Sequence, residues 1–121
     1  MEKAEMRAKR FDCSYGCPVE ATLDVIGGKW KSVILFHLIG GTKRFGELRR
    51  MLPGVTQRML TLQLRELEEH GVVHREVYRQ IPPKVEYSLT DYGWTLESIL
   101  RQMRDWGEEF VRQHQEEKIS A

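Results

Sequence analysis

The apolar residues of the first half of the chain recur at helical spacing, and glycine or proline marks where each periodic segment ends. Pro18 suits the first turn of a helix, whose apolar stripe stops before two glycines. The segment 29–39 is apolar around nearly its whole circumference, which is typical of a central helix packed on several sides. The segment 42–52 is shorter and amphipathic, and a Pro-Gly pair ends it. The pattern therefore predicts three helices.

Thr56 is predicted to begin the fourth helix, because its hydroxyl can accept a hydrogen bond from an otherwise unpaired amide of the first turn. The helix runs to His70, and Gly71 follows as the residue that ends the last turn. At about 100° per residue, one face is purely apolar and carries Leu60, Leu64 and Leu67. The opposite face is mostly polar and carries Arg58, Thr61, Leu62, Arg65 and Glu69.

The second half of the chain predicts an antiparallel hairpin and a long helix. Residues 72–78 and 85–89 are β-branched and aromatic runs with period-two alternation, and a short basic connection with two prolines joins them. Thr90 is expected to cap a single final helix with an apolar stripe about 140° wide, before a polar tail from Gln113. We expect this stripe to pair with a second subunit, the alternative being packing on its own domain. The expected interface residues are Leu96, Ile99, Leu100, Met103, Trp106 and Phe110.

Composition places the chain among ordinary globular proteins. Its 121 residues are 40% hydrophobic and 31% charged, which suits one modest domain. We expect a polar arm (1–16), one domain (17–112) and a polar tail (113–121). No apolar run approaches the roughly 20 residues of a membrane helix, and the arm lacks the apolar region of a secretory signal, so a cytoplasmic location without membrane contact is expected. The fold class is mainly α with a small β-hairpin.

Charge is distributed unevenly along the chain, although the total is only +1. Residues 42–89 contain nine basic and six acidic side chains and are net +3, whereas residues 90–121 contain four and seven and are net −3. This asymmetry is a weak indication that the middle of the chain binds phosphates.

Two short helices joined by a tight turn and followed by a hairpin are the layout of a winged helix-turn-helix. Such a helix fits the major groove of double-stranded DNA, and a basic hairpin reaches the flanking backbone or the minor groove. The side chains expected to contact base edges are Gln57, Arg58, Thr61 and Arg65. Those expected to bind phosphate are Lys43, Arg44, Arg79 and Lys84. Taken alone, an arginine-bearing helix face is more often plain solvated surface, and each of the four expected phosphate-binding cations could equally be a solvated charge.

Five separated motifs, in order along Cys17–Phe110, resemble the HxlR-type family of bacterial winged-helix transcription regulators. They are Cys17–Glu20, Ile26–Trp30, Arg44–Leu48, Leu60–Arg75 and Pro82–Thr90. The resemblance implies a winged helix-turn-helix homodimer that binds a palindromic operator and regulates transcription. The alternative is a winged-helix dimer that serves as a protein-interaction module without sequence-specific DNA binding.

Cys17 is a candidate redox or electrophile sensor. It precedes Pro18 at a helix start, where exposed amides and the positive end of the helix dipole favour a thiolate. The resemblance implies that some family members use a cysteine at this place to detect oxidants or electrophiles. The C-terminal helix has no cysteine, so a disulfide would need Cys13, the other subunit's arm or a small thiol. The alternative is an inert cysteine.

No residue set in the sequence predicts an enzyme, a cofactor or a metal site. The cysteine pair and the pair formed by His70 and His74 are 52 residues apart, against about 12 in a zinc finger. The acidic doublets are expected to be solvated surface rather than acid–base pairs. Besides DNA and a second subunit, a small-molecule effector is left open as a partner.

Overall fold

The computed structural model describes the backbone of residues 15–120 and the side chains up to residue 115. This part of the chain forms a mainly helical domain with a small antiparallel sheet, which confirms the predicted fold class. The elements are α1 (Pro18–Ile26), α2 (Lys31–Ile39), β1 (Lys43–Arg44), α3 (Phe45–Met51), α4 (Gln57–Glu69), β2 (Val73–Tyr78), β3 (Lys84–Leu89), α5 (Asp91–Trp94) and α6 (Glu97–Ser120).

The hydrophobic core is built around α2, as its all-round apolar pattern predicted. Ile34, Leu35 and Leu38 of this helix are at most 1% exposed. The helix α4 contributes its three aligned leucines, which are also buried: Leu60, Leu64 and Leu67. The helix α4 therefore presents to the core the face that the sequence pattern assigned to it.

The helix-turn-helix consists of α3, a five-residue turn and α4. Gly54 in the turn has a φ of 91°, a conformation that glycine adopts without the steric cost of a Cβ atom. Thr56 then begins α4, and its Oγ1 accepts a hydrogen bond from the amide of Met59 at 3.1 Å. The predicted N-cap is thus confirmed, and it fixes where the second helix of the motif starts.

The sheet has three strands in the order β1-β3-β2, one more than the predicted hairpin. Lys43 and Arg44 pair with Tyr87 and Glu86, so the helix predicted from Thr42 instead begins at Phe45. The prediction was wrong at this end because the partner strand lies about forty residues later in the sequence. β1 consequently ties the start of the helix-turn-helix to the hairpin, which we call the wing (residues 73–89).

The helix predicted as one element after Thr90 is two. Thr90 caps α5, its Oγ1 accepting from the amide of Gly93 at 2.9 Å, but α5 ends at Trp94 and α6 starts at Glu97. A Cβ atom added to Gly93 would lie 2.1 Å from the carbonyl oxygen of Val72, so α5 is pressed directly against the backbone at the start of the wing. Between the two helices, the amides of Thr95 and Leu96 donate to the carbonyls of Tyr92 and Gly93, three residues back, which makes a tight turn.

The helix α6 extends to Ser120, through the segment expected to be a polar tail. Within residues 15–120, no helix combines the length and apolar character that crossing a membrane would need.

Candidate nucleic-acid interface

The outward face of α4 brings together the four side chains expected to read bases. Gln57, Arg58 and Arg65 are exposed, and Thr61 is half-buried. The Thr61 hydroxyl donates to the Gln57 carbonyl at 2.8 Å within the helix. Because this donor is occupied, Thr61 can offer an approaching base only an acceptor, which suits the amino groups of adenine or cytosine.

A cleft of about 190 Å³ separates the C-terminal half of α4 from the sheet. Arg65 lines one side of it and Arg75 of β2 lines the other, with Tyr87 on the neighbouring strand opposite Arg75. Arg75 shares a strand face with Val73 and Val77, where the alternation leads one to expect an apolar residue. Arg75 was not among the site residues predicted from the sequence. A charged residue at a position of β2 where the alternation predicts an apolar one was the signal that could have identified it.

The two wing cations differ in how available they are. Arg79 is exposed where the wing loop begins. Lys84 is engaged within the wing, because its Nζ lies 3.5 Å from Glu86 Oε2 and 4.8 Å from the centre of the Tyr78 ring. The hydroxyl of Tyr78 is hydrogen-bonded to the same Glu86 carboxylate, which raises the pKa of Tyr78. Arg79 is therefore available to bind a phosphate, whereas Lys84 is already paired with Glu86.

The two cations of β1 also point to different sides of the sheet. Arg44 is exposed on the face of Glu86, whereas Lys43 is half-buried on the face of Tyr87. A Cβ atom added to Gly40 or Gly41, at the C-terminal end of α2, would lie about 4 Å from the Lys43 Nζ. Burial, and secondly the charge of Lys43, lower the pKa of His37 in the last turn of that helix. Lys43 thus faces a helix end as well as solvent.

The apolar stripe of α6 divides between the core and the surface. Leu100 is 2% exposed and Leu96 is partly buried, so both pack on their own domain. The other four expected interface residues are exposed in the single chain: Ile99, Met103, Trp106 and Phe110. Trp106 stacks on Phe110 with ring centres 5.4 Å apart, and Phe110 contacts His114 at 4.0 Å. A row of three exposed, mutually contacting ring side chains therefore lies along the middle of α6.

Cys17 is a free, exposed cysteine at the N-cap of α1. The Glu20 carboxylate accepts hydrogen bonds from the amides of Gly16 and Cys17 at 2.8 and 3.2 Å. The Glu20 carboxylate thus pairs with the amides that precede α1, and it places a negative charge at the helix start where the sequence predicts a thiolate. Cys13 lies outside the described residues. Within those residues, no group of His, Cys, Asp and Glu side chains is placed to hold a metal ion.

Comparison with known proteins also finds a helix-turn-helix protein. The model of the HxlR-like helix-turn-helix family matches residues 25–115. The chain belongs to this family. It is 67% identical over 111 residues to the HTH-type transcriptional regulator YdeP of Bacillus subtilis (strain 168), a match that covers 87% of each protein.

Solved structures agree with this assignment. The redox regulator HypR in its oxidized form matches with a TM-score of 0.75 and 69% identity, covering 77% of this chain and 96% of HypR. The HTH-type regulator ytcD matches with a TM-score of 0.76 and 58% identity, over 79% and 98% of the two chains. This HxlR-type protein is a DNA-binding transcription regulator, as the resemblance predicted. The comparisons give no support to the protein-interaction alternative.

Proposed function

We propose that this HxlR-type regulator binds a palindromic operator as a homodimer, with one α4 in each of two successive major grooves. The observation that carries the proposal is the outward face of α4, where Gln57, Arg58 and Arg65 are all exposed and neither arginine forms an ion pair with another described residue. Arginine pairs with guanine O6 and N7 through two hydrogen bonds, and glutamine pairs with adenine in the same way. These side chains give the helix the donors that base reading requires.

Phosphate contacts would hold α4 in register without reading sequence. Arg44 and Arg79 are the exposed candidates, one on β1 and one at the wing loop. Arg75 is a third, since it faces Arg65 across the cleft beside α4. Lys84 contributes only if a phosphate displaces Glu86, and Lys43 acts at longer range from its half-buried position.

The exposed apolar residues support the homodimer. Trp106 is 70% exposed and Phe110 is 45% exposed on α6, and Val19 and Leu23 of α1 are more than half exposed in the single chain. Apolar patches of this kind mark interaction surfaces. On a palindromic operator, the two-fold axis through them must place the two copies of α4 about 34 Å apart, the spacing of successive major grooves on one side of the duplex.

Selection of bound sequences from a random double-stranded DNA pool, using the full chain, tests this function. The expected result is a two-fold symmetric motif whose half-site centres lie about 10 base pairs apart. The double variant Arg58→Ala/Arg65→Ala should fold and enrich no motif. Absence of enrichment by the native protein, or a single unrepeated half-site, would overturn the proposal.

We further propose that Cys17 is the residue through which this regulator senses oxidants or electrophiles. Its thiol is exposed, and the matching protein HypR is described as a redox regulator. In the reaction with a quinone, the Cys17 sulfur forms a bond to a ring carbon, and the ring takes up the thiol proton to become a substituted hydroquinone. A bulky group at the start of α1 would then sit beside the exposed apolar residues of that helix and disturb the paired subunits.

A further inference from the structure

One large apolar side chain stands at the centre of the outward face of α4. Leu62 is 51% exposed, although the three other leucines of this helix are buried. At about 100° per residue, Leu62 lies within about 15° of the direction opposite the mean of those three leucines. It therefore projects straight away from the core, at the middle of the helix.

The neighbours of Leu62 on the helix surface are the two exposed arginines of the proposed reading face. Arg58 is one turn before it and Arg65 is three residues after it, and side chains at these spacings are adjacent on a helix. Leu62 lies between the two arginines along the helix axis and within about 60° of each around it, so a surface that spans both arginines passes over Leu62. Single exposed leucines are common and carry no meaning alone, so it is this placement that matters.

We infer that Leu62 is a specificity-determining residue that packs against the C5-methyl group of a thymine in the operator. The base edges of the major groove offer hydrogen-bonding groups and one apolar group, the thymine methyl. An apolar side chain pressed into the groove between two arginines is favourable only where it meets that methyl, because elsewhere it covers polar base edges without bonding to them. The inference rests on the proposed DNA-reading role of α4.

Replacing single thymines by deoxyuridine tests the contact, because deoxyuridine lacks the methyl and keeps every hydrogen-bonding group. Each thymine of one half-site of the selected operator is replaced in turn, and the affinity of the native protein is measured. One position should weaken binding by roughly fourfold, the value of one buried methyl group. At that position Leu62→Ala should bind the two DNAs equally.

Two further variants complete the test. Leu62→Ala should fold normally, since the side chain is exposed and alanine is the best helix former. Met59→Ala is the matched control, because Met59 is the other exposed apolar residue of α4 and lies about 60° to one side of Leu62. It should retain the full preference for thymine over deoxyuridine.

The outcomes separate this inference from the proposed function. If no thymine matters to the native protein, or if Leu62→Ala keeps the preference, the methyl contact is refuted. In either case, loss of operator binding in Arg58→Ala would show that α4 still reads DNA. If Arg58→Ala, Arg65→Ala and Leu62→Ala all bind like the native protein, the proposed reading role of α4 fails as well.

Discussion

The Nζ of Lys31 lies 2.6 Å from Oε2 of Glu66, joining the first turn of α2 to the C-terminal part of α4. The Lys31 side chain is only 13% exposed and that of Glu66 is 38% exposed, so the pair is better shielded from solvent than most surface ion pairs. Glu66 follows Arg65 directly in sequence. The ion pair therefore supports the buried leucines in fixing the rotation of α4 about its own axis, and with it the direction of the reading face.

Lys31→Met should lower the free energy of unfolding by about 1 to 2 kcal/mol, because it leaves a partly buried carboxylate without its cation. In a double-mutant cycle with Glu66→Gln, the two changes should be coupled by about 1 kcal/mol. Urea denaturation measures both quantities. Lys29→Met removes the same charge from an exposed neighbour and should show no coupling to Glu66; equal coupling there would contradict the assignment.

Arg58 and Arg79 should respond differently to truncation. Arg58→Ala should cost about 1 to 3 kcal/mol on the operator, relax the preference at one base pair and change binding to random DNA little. Arg79→Ala should weaken binding to both DNAs alike and reduce the salt dependence by about one ion per subunit. Fluorescence anisotropy with both DNAs over a salt series makes the comparison. If Arg58→Ala lost equal affinity for the operator and for random DNA, Arg58 would be a phosphate contact.

Trp106→Glu should dissociate the dimer, because it places an unpaired charge inside the proposed interface. We expect a loss of about 3 kcal/mol or more in dimerisation free energy, and weaker operator binding. Sedimentation velocity at micromolar concentration reads out the assembly. Ser98→Glu adds the same charge to an exposed position on another face of α6 and should leave the dimer intact. A native protein that sediments as a monomer would rule out the interface.

Quinone treatment should change the operator affinity of the native protein and have no effect on Cys17→Ser. Cys13→Ser should keep the response to alkylation, because the reacting thiol is at position 17. Mass spectrometry of the treated protein locates the adduct, and anisotropy gives the affinity. An unchanged response in Cys17→Ser would assign the sensing to another residue.

His37 should make the fold less stable in mild acid. Burial, and then the charge of Lys43, hold the pKa of His37 below its ordinary value of 6.5. The unfolded chain therefore binds this proton more readily than the folded one, so stability falls as the pH drops below 6.5 and stops falling below the folded-state pKa. The fall in stability that is due to His37 should vanish in His37→Gln and should become smaller in Lys43→Met. Denaturation between about pH 7.5 and 5.5 measures it.

The parts of the fold that depend on local chemistry could be predicted from the sequence. The leucine face of α4, its Thr56 cap and the pairing of the wing strands all follow from spacing within one segment. The strand β1 could not be predicted, because two charged residues carry no alternation and their pairing depends on Tyr87 and Glu86 far along the chain.

In the candidate site, too, features that depend on one segment could be predicted, and features that depend on distant residues could not. The polar face of α4 was evident from helical periodicity, including the position of Leu62 opposite the core leucines. The engagement of Lys84 by Glu86 and Tyr78 was not, because it arises only once β2 and β3 are aligned. Arg75 was likewise assigned to the site only by its position across the cleft from Arg65.

The contact between Gly93 and Val72 has a mechanical consequence. No side chain lies between these two backbones, and the hydroxyl of Thr90 is bound to the Gly71 carbonyl at 2.6 Å beside them. Because the contact is between two backbones, no side chain can change its rotamer to absorb a displacement of α5. Gly71 and Val72 follow the C-cap residue of α4, so a tilt of α5 is transmitted to the C-terminal end of the reading helix. The domain is thus stiff along a route by which subunit geometry could alter the spacing of the two DNA contacts.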